Sequence, residues 1–148
     1  MKKYITNSSE ATKRLAKKLA PQLKGGEVIG LVGELGTGKT VFVQGLAEAL
    51  GIKETVNSPT FVLMKIYGIT PAKGGKSGIK HLVHIDAYRL ESFDQLKEIG
   101  AEEYLNQKDC LIVVEWADKV PEIRKYPKYK EVTFKEGKSL EERVISIQ

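Results

Sequence analysis

The 148-residue chain holds one cysteine, five prolines, two histidines and one tryptophan, and only 7% of it is aromatic. A lone thiol, Cys110, can close neither an internal disulfide nor a zinc site by itself. Its place inside the apolar run Cys-Leu-Ile-Val-Val-Glu-Trp marks it as a buried, inert side chain of a reduced compartment. No segment approaches the roughly twenty apolar residues that a membrane span needs. The first twenty residues begin with two lysines but hold no apolar stretch of seven to fifteen, so no secretory signal is expected and the expected location is cytoplasmic. Arginine is scarce: Arg14, Arg89, Arg124 and Arg143 are the four, and they do not cluster.

What is present fits an ordinary folded protein. Hydrophobic residues make up 41% and charged residues 29%, against a disordered or fibrous chain. The length suits a single domain, residues 1–148, that buries about two-thirds of its unfolded surface. The net charge of +5 suits a negatively charged partner: a nucleotide, a nucleic acid or an acidic protein face. Between Lys119 and Lys138 seven Lys or Arg stand against three Glu, which predicts a basic C-terminal patch or a solvated lysine-rich face.

Periodicity orders the elements. Asn7 and Glu10 have capping-box spacing, and Ala11, Leu15, Ala16 and Leu19 recur at helical intervals up to Pro21. Glu27 to Val32 reads as a buried strand, followed by a glycine-rich loop and a helix from Gly38 to about Leu50 that stops at Gly51. Thr60 to Tyr67 and Lys80 to Tyr88 are β-rich, and the Gly68–Ile79 segment between them has the Gly, Pro and Lys content of an exposed, mobile loop. Ser92 can cap a short helix, and Ala101 to Leu105 reads as another helical turn. Cys110 to Glu115 has the composition of a strand buried on both faces of a parallel sheet. Lys130 to Phe134 and Val144 to Ile147 add two strands. The expected fold is an α/β P-loop NTPase: three α/β/α layers around a mixed, mainly parallel sheet.

Gly33-Glu34-Leu35-Gly36-Thr37-Gly38-Lys39-Thr40 fits G-x-x-x-x-G-K-[ST], a pattern whose chance expectation in this composition is about 0.02. Gly33, Gly36 and Gly38 allow successive N–H groups to turn inward onto phosphate oxygens. The helix that follows adds its positive end. Lys39 supplies a point charge for the β- and γ-phosphates, and the Thr40 hydroxyl is a hard ligand for magnesium. Two acids can attend that metal, since Leu82 to Asp86 and Leu111 to Glu115 are both apolar runs ending in a carboxylate at the sheet edge where ligands bind.

Other residues leave alternatives open. His81 and His84 are three apart on a strand, so they face opposite sides and cannot share a metal. His84 falls on the face of Asp86 and Tyr88, where it can orient Asp86, polarise water or serve structurally. Arg89 can neutralise phosphate or pair with a carboxylate. Trp116 suits a core aromatic or a ligand or partner contact. Asn106-Gln107-Lys108-Asp109 departs from the guanine-reading N-K-x-D pattern and precedes a strand, so it reads as a polar turn.

Four motifs in order resemble the TsaE (YjeE) family of bacterial ATPases for tRNA threonylcarbamoyladenosine synthesis: Gly33 to Thr40, then Ser58-Pro59-Thr60-Phe61, then His84-Ile85-Asp86-Ala87-Tyr88-Arg89, then Glu115-Trp116. The resemblance implies an ATP site with Mg²⁺ attended by Thr40, Asp86 and Glu115. It implies catalytic roles for Lys39, Asp86 and Glu115, with Thr60 in a switch-like segment and Trp116 at the nucleotide. It further implies ATP hydrolysis that keeps TsaD and TsaB turning over, with tRNA reached only through that complex. The Gly68–Ile79 insertion and Glu98-Ile99-Gly100-Ala101 depart from the family pattern and bear on the partner surface. The alternative is a P-loop small-molecule kinase, which ordinarily needs several lid arginines.

Overall fold

The computed structural model describes residues 1–70 and 78–148. Among these residues the seven strands are β1 (Lys2–Thr6), β2 (Val28–Val32), β3 (Met64–Gly68), β4 (His81–Asp86), β5 (Cys110–Glu115), β6 (Tyr129–Glu136) and β7 (Arg143–Ile147). They form one sheet in the order β1-β7-β6-β2-β5-β4-β3. The four central strands, β6, β2, β5 and β4, are mutually parallel. β3 at one side and β7 and β1 at the other run antiparallel to their neighbours.

β5 shows why the centre is parallel. All six of its residues are buried, so neither face meets water, and each large aliphatic contributes about 1.5–3 kcal/mol. Alternation splits the core in two. Ile29, Leu31, Leu82, Leu111 and Val113 pack with α1 (Ser9–Leu19) and α2 (Lys39–Ala49). Val28, Val83, Ile85, Ile112 and Val114 pack on the other face with Leu96 of α3 (Phe93–Glu98) and Leu105 of α4 (Glu102–Leu105).

α1 lies tight against α2 because Gly45 has no side chain: a Cβ there would sit 2.7 Å from the Lys13 carbonyl oxygen. This close crossing brings the start of α1 beside the start of α2, which positions the site.

Several local expectations are corrected. Ser8 caps α1, accepting from Ala11 N at 3.1 Å, where Asn7 was expected. Residues 2–6 form an unpredicted edge strand, β1, whose lysines suit an edge and hide the β signal. Thr60 to Val62 form a turn, and β3 begins only at Met64. Leu63 takes φ +65°, donating to Pro59 O at 2.7 Å and accepting from Asp86 N at 2.9 Å, so this tertiary bond overrides β propensity. The seven basic residues make no single patch: Lys119 lies over the Tyr88 ring, whereas Lys128 donates to Gly25 O at the opposite sheet edge and Arg124 pairs with Glu131. Of the predicted mobile loop, residues 71–77 lie outside the described residues, and Ile79 is buried.

Candidate functional site

The loop from Gly33 to Gly38 joins β2 to α2. Gly38 is the helix N-cap at φ +98°, a left-handed conformation that favours glycine, and it offers no side chain to the first-turn N–H groups. These groups face a cavity with the positive end of an 11-residue helix behind them. The Thr37 hydroxyl donates to Glu34 O at 2.6 Å and ties the loop to itself. Lys39 folds back beneath it, donating to Gly33 O at 2.5 Å and Glu34 O at 2.8 Å.

The period of two carries the acids to the same place. Residues 82, 84 and 86 of β4 and 111, 113 and 115 of β5 face the α1–α2 side, and Asp86 lies opposite Glu115 in register. Asp86 and Glu115 therefore meet α2 at the carboxyl edge of the sheet. Glu115 is buried: Oε1 accepts from the Thr40 hydroxyl at 2.9 Å, and Oε2 lies 2.6 Å from His84 Nε2. Asp86 Oδ1 accepts from Tyr88 N at 2.9 Å and Oδ2 from the Ser58 hydroxyl at 3.1 Å, while Thr60 donates to Ser58 at 3.4 Å. Of the alternatives open for His84, the hydrogen bond goes to Glu115 and not to Asp86.

Trp116 follows the acid at φ +59°, an uncommon backbone for a bulky residue, and the turn lays its ring 4.1 Å from Lys39 Nζ and 4.9 Å from the Tyr88 ring. Burial pushes the Lys39 ammonium below its usual pKa, while Glu115, Asp118, Glu34 and Asp86 pull it back up. Cys110 lies in the other core layer, its thiol pushed up to about 11 by burial and by Asp109.

Leu35 to Thr40, Thr60, Asp86, Glu115 and Trp116 all border one cavity of about 620 Å³. Gly33 and Glu34 are absent from its lining and act through the carbonyls under Lys39. Arg89 does not border it either; its guanidinium lies 5.2 Å from the Phe61 ring. Sequence reasoning missed the far wall: Ser8, Ser9 and Thr12 from the start of α1, and Leu140, Glu141 and Arg143 from the turn into β7. Arg89, which the sequence offers for neutralising phosphate, is not the arginine at the cavity. Arg143 is the one that lines the cavity, donating to Gly36 O at 3.2 Å, Leu140 O at 2.7 Å and Glu142 O at 2.9 Å. No local signal marks it, because sheet order alone brings β7 beside the loop.

A strand, this loop and a helix, with two strand-end acids facing the helix start, define an α/β protein of the P-loop NTPase fold. The family described as threonylcarbamoyl adenosine biosynthesis protein TsaE matches residues 6–145. The chain belongs to the TsaE family. The tRNA threonylcarbamoyladenosine biosynthesis protein TsaE of Bacillus subtilis is 43% identical over 121 residues, 81% of this chain and 69% of that protein. Its counterpart in Aquifex aeolicus is 40% identical over 80% of this chain and 79% of its own length. The crystal structure of Bacillus subtilis YdiB superposes with a TM-score of 0.75 at 31% identity, over 99% of this chain and 83% of that one. No helix among the described residues is long and apolar enough to cross a membrane.

Proposed function

We propose that the chain is a Mg²⁺-dependent ATP hydrolase of tRNA threonylcarbamoyladenosine synthesis, activated by TsaD and TsaB homologues in the cytoplasm and reaching tRNA only through them. The observation that carries this reading is the convergence of Lys39, Thr40, Asp86 and Glu115 on the cavity at the helix start.

The donor chemistry fits the metal. Thr40, Asp86 and Glu115 offer oxygen only, and among the described residues no three His, Cys, Asp or Glu gather as a cage that could hold an ion unaided. Magnesium is ordinarily held by one or two protein oxygens together with water and substrate phosphates, so this sparse set suits it. When bound, it neutralises charge on the phosphate oxygens.

The chain's own groups do the rest. Loop N–H groups and Lys39 bind the phosphates of ATP, and release ADP more readily once the γ-phosphate charge is gone. Glu115 can hold a proton from an attacking water, and Asp86, fixed by Ser58 and Tyr88 N, would help hold the metal at the cavity it shares with Thr40. The acids on β4 and β5 would attend the phosphate end of the nucleotide, and the start of α1 and the turn into β7 supply the rest of the cavity wall.

Partner activation is supported by the rim. Leu35 and Phe61 are each 85% exposed, and Val62 and Tyr88 are exposed too; Leu35 and Tyr88 border the cavity, and Phe61 and Val62 follow Thr60 along the chain. The one arginine lining the cavity, Arg143, spends its guanidinium on three carbonyls, so it is not poised as a catalytic finger, a group worth about 10³–10⁵ in rate. Phosphate release by the purified chain should be slow and should rise strongly when TsaD and TsaB homologues are added. Fast hydrolysis unaltered by them would refute partner activation, and phosphate transfer to a small acceptor would replace the reading with a kinase.

A further inference from the structure

The buried ring of His84 reaches the site only through Glu115. It is fully buried and its Nε2 lies 2.6 Å from Glu115 Oε2, while among the described residues its Nδ1 has no hydrogen-bond partner. An ionised carboxylate oxygen can only accept, so the proton of this bond sits on Nε2.

The other oxygen of the same carboxylate accepts from Thr40. A hydroxyl that donates toward Glu115 must turn its lone pairs away from Glu115, and Thr40 borders the cavity. The chain His84–Glu115–Thr40 therefore runs from a fully buried ring to the oxygen that would face a divalent cation. With Oε2 engaged by the ring, Glu115 cannot rotate to offer both oxygens to the cavity, and Oε1 stays on the hydroxyl.

Resting on the nucleotide reading above, we propose that His84 is a positioning residue: acting through Glu115, it fixes the direction in which Thr40 presents its lone pairs to magnesium. The mode is that of outer-shell groups which orient a ligand without touching the metal.

The test uses the full chain and ATP, measured by calorimetry with magnesium and with EDTA, in His84→Leu and His84→Gln. Glutamine keeps an N–H near the position of Nε2, whereas leucine keeps only the bulk. His84→Leu should lower the magnesium-dependent affinity about 10- to 100-fold, with the EDTA affinity little changed and His84→Gln recovering most of the loss. Equal losses with and without magnesium, no loss in His84→Leu, or no advantage of Gln over Leu at matched melting temperature would each overturn it. A ring ¹H–¹⁵N spectrum of the unmutated protein needs neither variant to fold. A slowly exchanging Nε2–H that shifts in Glu115→Gln supports the proposal, and a proton on Nδ1 overturns it. If the ring signal is present but ATP does not bind, the nucleotide reading fails and takes the metal role with it. If ATP binds and the signal is absent, the proposal alone fails.

Discussion

Lys39→Met separates binding from folding. The ammonium has three N–H donors, of which Gly33 O and Glu34 O take two, so one charge-assisted hydrogen bond and the charge itself remain for a phosphate. One such bond is worth about 1.5–3 kcal/mol, and with the added Coulomb attraction the loss should be about 3 kcal/mol, or roughly two powers of ten in Kd for ATP. Stability should move far less. The variant loses two carbonyl hydrogen bonds and the contact with the Trp116 ring, but methionine keeps the stem and removes a buried charge. The sign of the pH dependence follows from the lowered pKa of Lys39. Between its folded value and 10.5 the unfolded chain binds more protons, so this group's contribution to stability rises with pH through that window. At neutral pH the burial penalty is fully present and only the variant escapes it; toward pH 10.5 the unmutated protein should gain on Lys39→Met. Calorimetric titration with ATP and thermal melts at neutral and alkaline pH read both quantities. Unchanged affinity in a folded variant would refute the phosphate-loop assignment, and a large collapse of melting temperature at neutral pH would refute the separation.

Asp86→Asn should weaken ATP binding in magnesium about tenfold while leaving binding in EDTA nearly unchanged, because it removes charge from the cavity that Asp86 shares with Thr40 and keeps an acceptor for Tyr88 N. Equal losses in parallel titrations would remove Asp86 from the metal. Arg143→Met should loosen the hold of the β6–β7 turn on Gly36 O and lower ATP affinity about tenfold, with each lost partly exposed bond worth only about 0.5–1.5 kcal/mol of stability. ATP affinity equal to that of the unmutated protein would show that the far wall does not hold the nucleotide.

Features that depend on neighbours along the chain are legible in the residues alone. The glycines, lysine and threonine of residues 33–40 share one loop and one helix start, so the phosphate motif is contiguous. The apolar run Cys110 to Glu115 predicts a central strand with its acid at the edge, and that strand has those bounds. Parity along β4 puts His84 and Asp86 on one face with no knowledge of what packs there. The meetings across the sheet belong to the tertiary fold. Parallel register sets Asp86 against Glu115, and only that register hands Glu115 to His84 and Thr40. The αL backbones of Leu63 and Trp116 run against what their side chains prefer, because Asp86 N needs the Leu63 carbonyl and the turn after Glu115 lays the indole over Lys39. Arg143 stands more than a hundred residues from Gly36, and its contact exists because β6 lies beside β2 and β7 beside β6, an order that no local pattern of hydrophobicity or turn chemistry encodes.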